Sequence, residues 1–143
     1  MRRLLTASIA LIALTATASA AVVPKFLAGD VTVTVTYNGK GKVDDTHEIL
    51  VFLFDQPNPG QGSVPLARQV ITKSGGTATF KDVVQRPVYV TLVYDEAANY
   101  GGQSLPPPGA PIGSYRKDGK PVPVTPGPAA KIKVSFDDSI RWK

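Results

Sequence analysis

The side chains of this sequence that are best suited to chemistry are carboxylates near the ends of apolar segments. Calcium takes about six to eight oxygen ligands, often from aspartate side chains and loop carbonyls. Aspartate is also a routine turn residue that accepts hydrogen bonds from its own backbone, and the Asp-x-Asp-x-Asp-Gly spacing of a calcium loop does not occur. We therefore predict turn-forming carboxylates and no bound metal or cofactor, and leave open a calcium site built from several loops. The carboxylates are Asp44, Asp45, Asp55, Asp95, Glu96, Asp137 and Asp138.

Catalytic side chains are scarce, because the sequence has one histidine, His47, and no cysteine. That leaves too few nitrogen and sulfur ligands for a tetrahedral zinc site. The sequence also lacks the Gly-x-Ser-x-Gly elbow that presents a nucleophilic serine. The Gly-Lys-Gly at residues 39–41 lacks the third glycine and the following helix of a dinucleotide site, so it predicts a turn. We predict no catalytic residue and no enzymatic activity.

Two tyrosines, Tyr100 and Tyr115, are the candidate ligand-binding residues. They lie in or beside the segment 96–114, which is rich in glycine and proline, and connections of this length without secondary structure are often functional or disordered. Tyrosine has a flat apolar ring and a polar hydroxyl, which suits sugar rings and protein partners equally. The alternative is that Tyr94 fills the core while Tyr100 and Tyr115 hold the segment against it, which is the commoner use of aromatic residues.

Apolar residues recur at every second position, which is the period of a β-strand rather than of a helix. From Val31 to Tyr37 the sequence reads Val-Thr-Val-Thr-Val-Thr-Tyr, so that the valines share one face and the threonines the other. The segment from Ile49 to Phe54 is apolar at every position, which predicts a strand covered on both faces. Further strands are predicted at 66–72, 77–81, 87–94 and 131–136, with a short edge strand at 122–124 limited by its prolines.

These strands predict one all-β domain, an Ig-like or transthyretin-like β-sandwich of about seven strands over residues 29–143. Residues 21–28 are predicted to be a linker. A domain of this length can bury a single hydrophobic core, and without cysteine it has no disulfide to add to that core. The side chains expected to be buried between two facing sheets are Val33, Phe52, Phe80, Val90 and Val134.

Residues 1–20 have the three parts of a cleavable signal peptide. Arg2 and Arg3 form a positive start, a mostly apolar stretch follows, and Ala-Ser-Ala at 18–20 is a small-residue cleavage site. The apolar stretch is shorter than the roughly 20 residues of a membrane-spanning helix. We predict cleavage after Ala20, a periplasmic or secreted location, and no membrane span in the mature form.

The segment 72–83, Thr-Lys-Ser-Gly-Gly-Thr-Ala-Thr-Phe-Lys-Asp-Val, and the Pro-Val-Tyr-Val at 87–90 resemble the carboxypeptidase-regulatory-like, or transthyretin-like, β-sandwich. Domains of that kind show a glycine-led turn, an apolar strand ending in phenylalanine, and a strand containing Tyr-x-Val. The resemblance implies a seven-stranded sandwich that works as an adhesion, scaffold or carbohydrate-associated module. The hydroxyisourate hydrolases of that group depend on several histidines and a C-terminal Tyr-Arg-Gly-Ser, so their activity is not expected in a chain with His47 alone.

The sequence as a whole predicts a non-catalytic, exported binding or accessory module of the cell envelope, with a protein or glycan partner. A purely structural envelope protein is the main alternative, and a periplasmic hydrolase is a further one. The formal net charge is +5, but the lysines and arginines are scattered, and no run of them could follow a phosphate backbone. We therefore predict no nucleic-acid partner. The identity of the partner and the oligomeric state stay open.

Overall fold

The computed structural model describes residues 28–84 and 86–143, and every regular element within these ranges is a β-strand. The predicted signal peptide lies outside the described residues, as does the predicted linker except for its last residue. No helix in the described ranges is long and apolar enough to cross a membrane. The strands of these ranges are β1 (Ala28–Tyr37), β2 (Ile49–Phe54), β3 (Ala67–Ile71), β4 (Gly76–Val84), β5 (Tyr89–Tyr94), β6 (Ile112–Ser114), β7 (Arg116–Lys117), β8 (Lys120–Pro121) and β9 (Lys131–Phe136).

The strands form three sheets. One is three-stranded in the order β4-β1-β9, where β1 pairs antiparallel with β4 and parallel with β9. A second is four-stranded and antiparallel in the order β3-β2-β5-β6. The short strands β7 and β8 form a small hairpin. The strands β6 and β9 therefore lie at the edges of their sheets, and they contact each other.

One core cluster takes side chains from both larger sheets, and we call it the main core. In β1 the alternation leaves Val31, Val33 and Val35 with no exposed surface, while the threonines between them are at least partly exposed. The four-stranded sheet contributes alternate residues of β2 and β5 to the same cluster. Each fully buried valine or leucine contributes about 1.5–3 kcal/mol through removal of apolar surface from water. The prediction of an all-β fold is confirmed.

The strand β2 is buried on both faces, as its continuous apolar sequence predicts. Its odd-numbered residues join the main core. Its even-numbered residues belong to a second cluster on the opposite face, and Phe52 is one of them, 4% exposed. The expectation that Phe52 is buried is confirmed. The prediction that it lies between the two sheets is wrong, because successive side chains of a strand point to opposite faces and Phe52 points to the outer one. The second cluster consists of Leu50, Phe52, Phe54, Val93, Tyr100 and Ala110.

Three local predictions differ from the structure. β1 begins at Ala28, which was expected to end the linker. The segment 96–114, predicted to be irregular, ends in β6, whose three residues are too few to show an alternating pattern. At 122–124 there is no strand but one bridge between Val124 and Val88, because the prolines on either side of residue 122 cannot donate to a ladder.

Candidate functional site

A groove of about 740 Å³ extends from the outer face of the four-stranded sheet, the face turned away from the main core, to the edge of β9. We call it the outer groove. Phe52 and Phe54 of β2 and Val93 of β5 line it, and Ile112 of β6 lines it at the sheet edge. Phe52 and Phe54 are two positions apart, as are Val93 and Thr91, which also lines the groove, so the pleat of each strand turns both residues to this face. The sheet therefore gives the groove an apolar floor.

Apolar side chains from three separate loops are exposed at the outer groove. Val64 is 78% exposed, Leu105 is 39% exposed and Ile140 is 52% exposed, and all three line the groove. Trp142, the single tryptophan of the chain, also lines it and is half-buried. Isolated exposed apolar side chains are ordinary on a protein surface, whereas several around one concave surface are typical of a binding site.

Asp95 and Tyr100 hold the Gly/Pro-rich segment in place beside the groove. Asp95 is 6% exposed, and its carboxylate accepts hydrogen bonds from the backbone N–H groups of Asn99 at 3.1 Å and Tyr100 at 2.8 Å. Tyr100 is also buried, packs on Phe52 with ring centroids 6.4 Å apart, and donates its hydroxyl to the Ser104 carbonyl at 2.9 Å. Burial raises the pKa of Tyr100. Tyr100 lines the groove, but most of its surface packs against the fold.

Tyr115, the second candidate, follows β6 directly and is half-buried. Its N–H donates to the Val90 carbonyl at 3.1 Å, and its own carbonyl accepts a hydrogen bond from the Val122 N–H at 3.1 Å. The side chain packs against the main core and lines the outer groove. The structure therefore brings Tyr100 and Tyr115 to the same groove, and Tyr115 has more surface available to a ligand there.

The C-terminal residues close one side of the outer groove. The Trp142 N–H donates to the Ala110 carbonyl at 2.9 Å, and the Gly109 N–H donates to the Trp142 carbonyl at 2.8 Å. The guanidinium of Arg141 donates to Glu96 at 2.7 Å and to the Gly109 carbonyl at 2.6 Å. Exposed ion pairs contribute little to stability, so the two backbone hydrogen bonds, together with the bond from Arg141 to the Gly109 carbonyl, hold Trp142 at the groove.

Most residues of this site could not be predicted from the sequence. Val64, Leu105 and Ile140 lie in loops far apart in the sequence, and a loop residue has no periodicity that predicts which surface it reaches. Trp142 is the one of these residues that the sequence could have indicated, since a large aromatic residue outside any predicted strand needs an apolar surface to contact.

Three of the carboxylates, Asp44, Asp95 and Asp137, accept hydrogen bonds from backbone N–H groups of their own loops. Asp44 accepts hydrogen bonds from the N–H groups of Thr46 at 3.1 Å and His47 at 2.9 Å, and lies 3.1 Å from Nδ1 of His47. The backbone hydrogen bond from His47, followed by the other bonds, holds the pKa of Asp44 well below its ordinary value. Within the described ranges no group of three or more histidine, cysteine, aspartate or glutamate residues is placed to hold a metal ion.

Asp138 joins the end of β1 to the segment that follows β9. Its carboxylate accepts hydrogen bonds from the Tyr37 hydroxyl and from the Lys40 N–H, the second at 2.9 Å. The bond from Tyr37 lowers the pKa of Asp138, while burial, followed by the same bond, raises the pKa of Tyr37. A Cβ at Gly39 would overlap the Tyr37 ring. Gly39, the first glycine of the Gly-Lys-Gly turn, is therefore required for packing over this tyrosine.

Comparison with known proteins gives no match: no protein-family model, no curated protein and no solved structure matches the chain. The outer groove is therefore interpreted from its own geometry and chemistry.

Proposed function

We propose that the chain is an exported, non-catalytic binding module of the cell envelope, and that its outer groove holds part of a protein or glycan partner. The observation that supports this most strongly is the exposure of Val64, Leu105 and Ile140 around one groove. Water contact with these side chains is unfavourable by about 25 cal/mol per Å² of apolar surface. A ligand that covers them recovers this free energy.

We also propose that the domain is a two-layer β-sandwich. The three-stranded and four-stranded sheets form the two layers of one seven-stranded sandwich, and the shared main core supports this reading. We propose that this sandwich is similar to transthyretin-like domains in its arrangement, with the glycine-led turn before β4 as the supporting sequence feature. The proposed export and cleavage after Ala20 follow from the sequence of residues 1–20.

The lining residues of the groove favour binding over catalysis. Aromatic rings at Tyr115 and Trp142 offer flat faces to a sugar ring or to an apolar side chain. The one histidine, His47, is paired with Asp44 in a loop and does not line the groove. A periplasmic hydrolase is therefore the weaker alternative. A purely structural envelope protein does not account for the exposed apolar side chains around the groove.

Intrinsic fluorescence tests the proposal directly, because Trp142 is the single tryptophan of the chain and lines the groove. The mature protein is titrated with soluble peptidoglycan fragments, neutral oligosaccharides and extended peptides while the Trp142 emission is recorded. We expect a saturable change with at least one of these ligands. The Ile140→Glu variant should bind that ligand at least about tenfold more weakly, because a charged group replaces an apolar contact in the groove.

Val84→Glu is the matched control. Val84 is 48% exposed, close to the value for Ile140, but it does not line the groove. Equal weakening by both substitutions, or no ligand that changes the emission, would show that the outer groove is not the binding site.

A further inference from the structure

One edge of β9 has backbone groups that no described strand pairs with. The Thr32 N–H donates to the Ala130 carbonyl and the Asn38 N–H donates to the Phe136 carbonyl, both at 2.8 Å. In a parallel ladder the N–H and C=O of one residue point to the same side and alternate along the strand. The even-numbered residues of β9 therefore face β1. The N–H and C=O groups of Lys133 and Ser135 point to the other edge, where no strand of the described ranges pairs with β9.

This edge of β9 lies in the outer groove. The groove is lined by five consecutive residues, 133–137, although side chains of successive residues point to opposite faces of the sheet. Contact with every successive residue is expected along the edge of a strand, where the backbone of each residue is accessible. On the other side of the groove, residues 112–116 line it in the same consecutive way. The groove thus runs between the edge of β9 and the edge of the four-stranded sheet.

Three basic side chains lie along this edge, and the carboxylate of Asp137 lies at its end. Lys131 and Lys133 are exposed on the outer face of β9, and Arg116 lines the same groove and is also exposed. None of the three forms an ion pair with a residue of the described ranges. Arg116 bonds instead to the Ser114 hydroxyl at 2.7 Å and the Gly119 carbonyl at 3.0 Å. These three positive charges are available to an acidic partner.

The same charges disfavour two of the registers in which β9 could pair with a second copy of itself. A two-fold symmetric pairing of one strand with its copy is antiparallel and places the strand opposite itself. A pairing centred on residue 133 puts Lys133 opposite Lys133, and one centred on residue 132 puts Lys131 opposite Lys133, whereas one centred on residue 135 puts Lys133 opposite Asp137. Like charges directly opposite each other destabilise a strand pair, and edge lysines are a common device against such association.

We propose that the outer groove receives an extended acidic peptide of a partner protein, which adds a strand to the free edge of β9. The inference rests on the proposed binding function and names the ligand class. Backbone groups of Lys133 and Ser135 pair with the peptide. Successive side chains of the peptide point to opposite faces of the extended sheet. The acidic ones lie beside Lys131 and Lys133 on the outer face, and the apolar ones enter the groove near Phe136.

The test uses a peptide of about six residues that alternates glutamate and valine, with binding to the mature protein measured by calorimetry and by Trp142 emission. We expect saturable binding that weakens as salt is added, since the charged groups are exposed and screened. The same peptide with lysine in place of glutamate should bind at least about tenfold more weakly, because like charges then face each other. Equal binding of the two peptides would overturn the proposal.

A matched pair of variants tests the backbone contact. Ser135→Pro removes the N–H that points to the free edge and leaves the ladder to β1 intact, since proline is tolerated where the N–H faces away from the sheet. Ser135→Ala keeps the N–H. We expect Ser135→Pro to weaken peptide binding by about tenfold or more and Ser135→Ala to leave it unchanged. Equal affinity of the two variants would contradict strand addition.

N-methylated peptides provide the same test on the unmodified protein. Methylating either alternate set of peptide nitrogens removes the donors on one edge of the added strand only. Methylation of the set that faces β9 should abolish binding, and methylation of the other set should preserve it. Similar affinity of the two methylated peptides would overturn the proposal. A dimer of the protein that depends on concentration and is lost in Ser135→Pro would assign the edge of β9 to a second copy instead.

The outcomes separate this inference from the proposed function. If a glycan changes the Trp142 emission in an Ile140-dependent manner and the acidic peptide does not bind, the groove remains the binding site and strand addition is wrong. If no ligand changes the emission, the proposed function itself is wrong.

Discussion

Gly113 of β6 and Phe136 of β9 meet where the two larger sheets come together beside the outer groove. A Cβ on Gly113 would lie 2.7 Å from the Cβ of Phe136, which is closer than the packing of two side chains allows. The absence of a side chain at residue 113 therefore allows the close approach of β6 and β9 beside the groove.

Gly113→Ala should destabilise the protein by about 1–3 kcal/mol, because the added methyl group overpacks the contact with Phe136. Gly101→Ala is the control, since a Cβ at Gly101 would meet nothing within 4 Å. Urea denaturation measures both free energies of unfolding. A Gly113→Ala protein as stable as the Gly101→Ala protein would contradict the close approach of the two strands.

Phe80→Ala should lower the free energy of unfolding by about 3–5 kcal/mol, because it leaves a cavity in the main core. Phe80 is 2% exposed. Val84→Ala, on the same strand but 48% exposed, should change stability by no more than about 0.5 kcal/mol. Thermal or urea denaturation of the two variants checks the register of β4, and a loss below about 1 kcal/mol for Phe80→Ala would show that the register is wrong.

Stability should decrease in alkaline solution. Burial and the hydrogen bond to Asp138 raise the pKa of Tyr37, so the folded state holds the phenol proton more tightly than the unfolded chain, in which tyrosine titrates near pH 10. This stabilisation is complete below about pH 10 and is lost as the pH rises through the folded pKa. Tyr37→Phe should reduce this loss of stability in alkaline solution. Part of the loss should remain, because the pKa of Tyr94 is also raised. Urea denaturation at neutral pH and above about pH 10 tests this; an identical pH dependence in Tyr37→Phe would contradict it.

Arg141→Met should leave the global stability nearly unchanged, within about 1 kcal/mol, since its ion pair with Glu96 is exposed. It should nevertheless increase quenching of Trp142 by iodide or acrylamide, because the hydrogen bond from Arg141 to the Gly109 carbonyl is lost. Arg86→Met is the control, as Arg86 forms an exposed ion pair with Asp55 and does not line the groove. Unchanged quenching in Arg141→Met would show that the backbone bonds alone position Trp142.

The strands were predictable because their pattern is local. The valines between residues 31 and 35 alternate with threonine, so the period of the strand predicts burial of one face of β1. The run from Ile49 to Phe54 has no polar residue, so burial of both faces is predicted for β2. The sequence could not assign Phe52 to the inner or the outer face, because a strand that is apolar at every position carries no alternation.

The outer groove was not predictable for a different reason. Its floor comes from strands, but its exposed rim at Val64, Leu105 and Ile140 depends on how three loops fold back over one sheet. Tyr100 and Tyr115 were named from their place beside a long Gly/Pro-rich connection. The structure puts both at the groove, with Tyr100 buried in the second cluster. Their role in binding stays a prediction.

The most direct test of the binding function is a map of backbone amide shifts by nuclear magnetic resonance. The ¹⁵N-labelled protein is titrated with each peptide or glycan that changes the Trp142 emission. The account predicts that the shifted amides cluster at residues 52–54, 112–116 and 133–137, which line the outer groove. Shifts confined to the β4 edge of the three-stranded sheet, around Thr77 and Thr79, would contradict it.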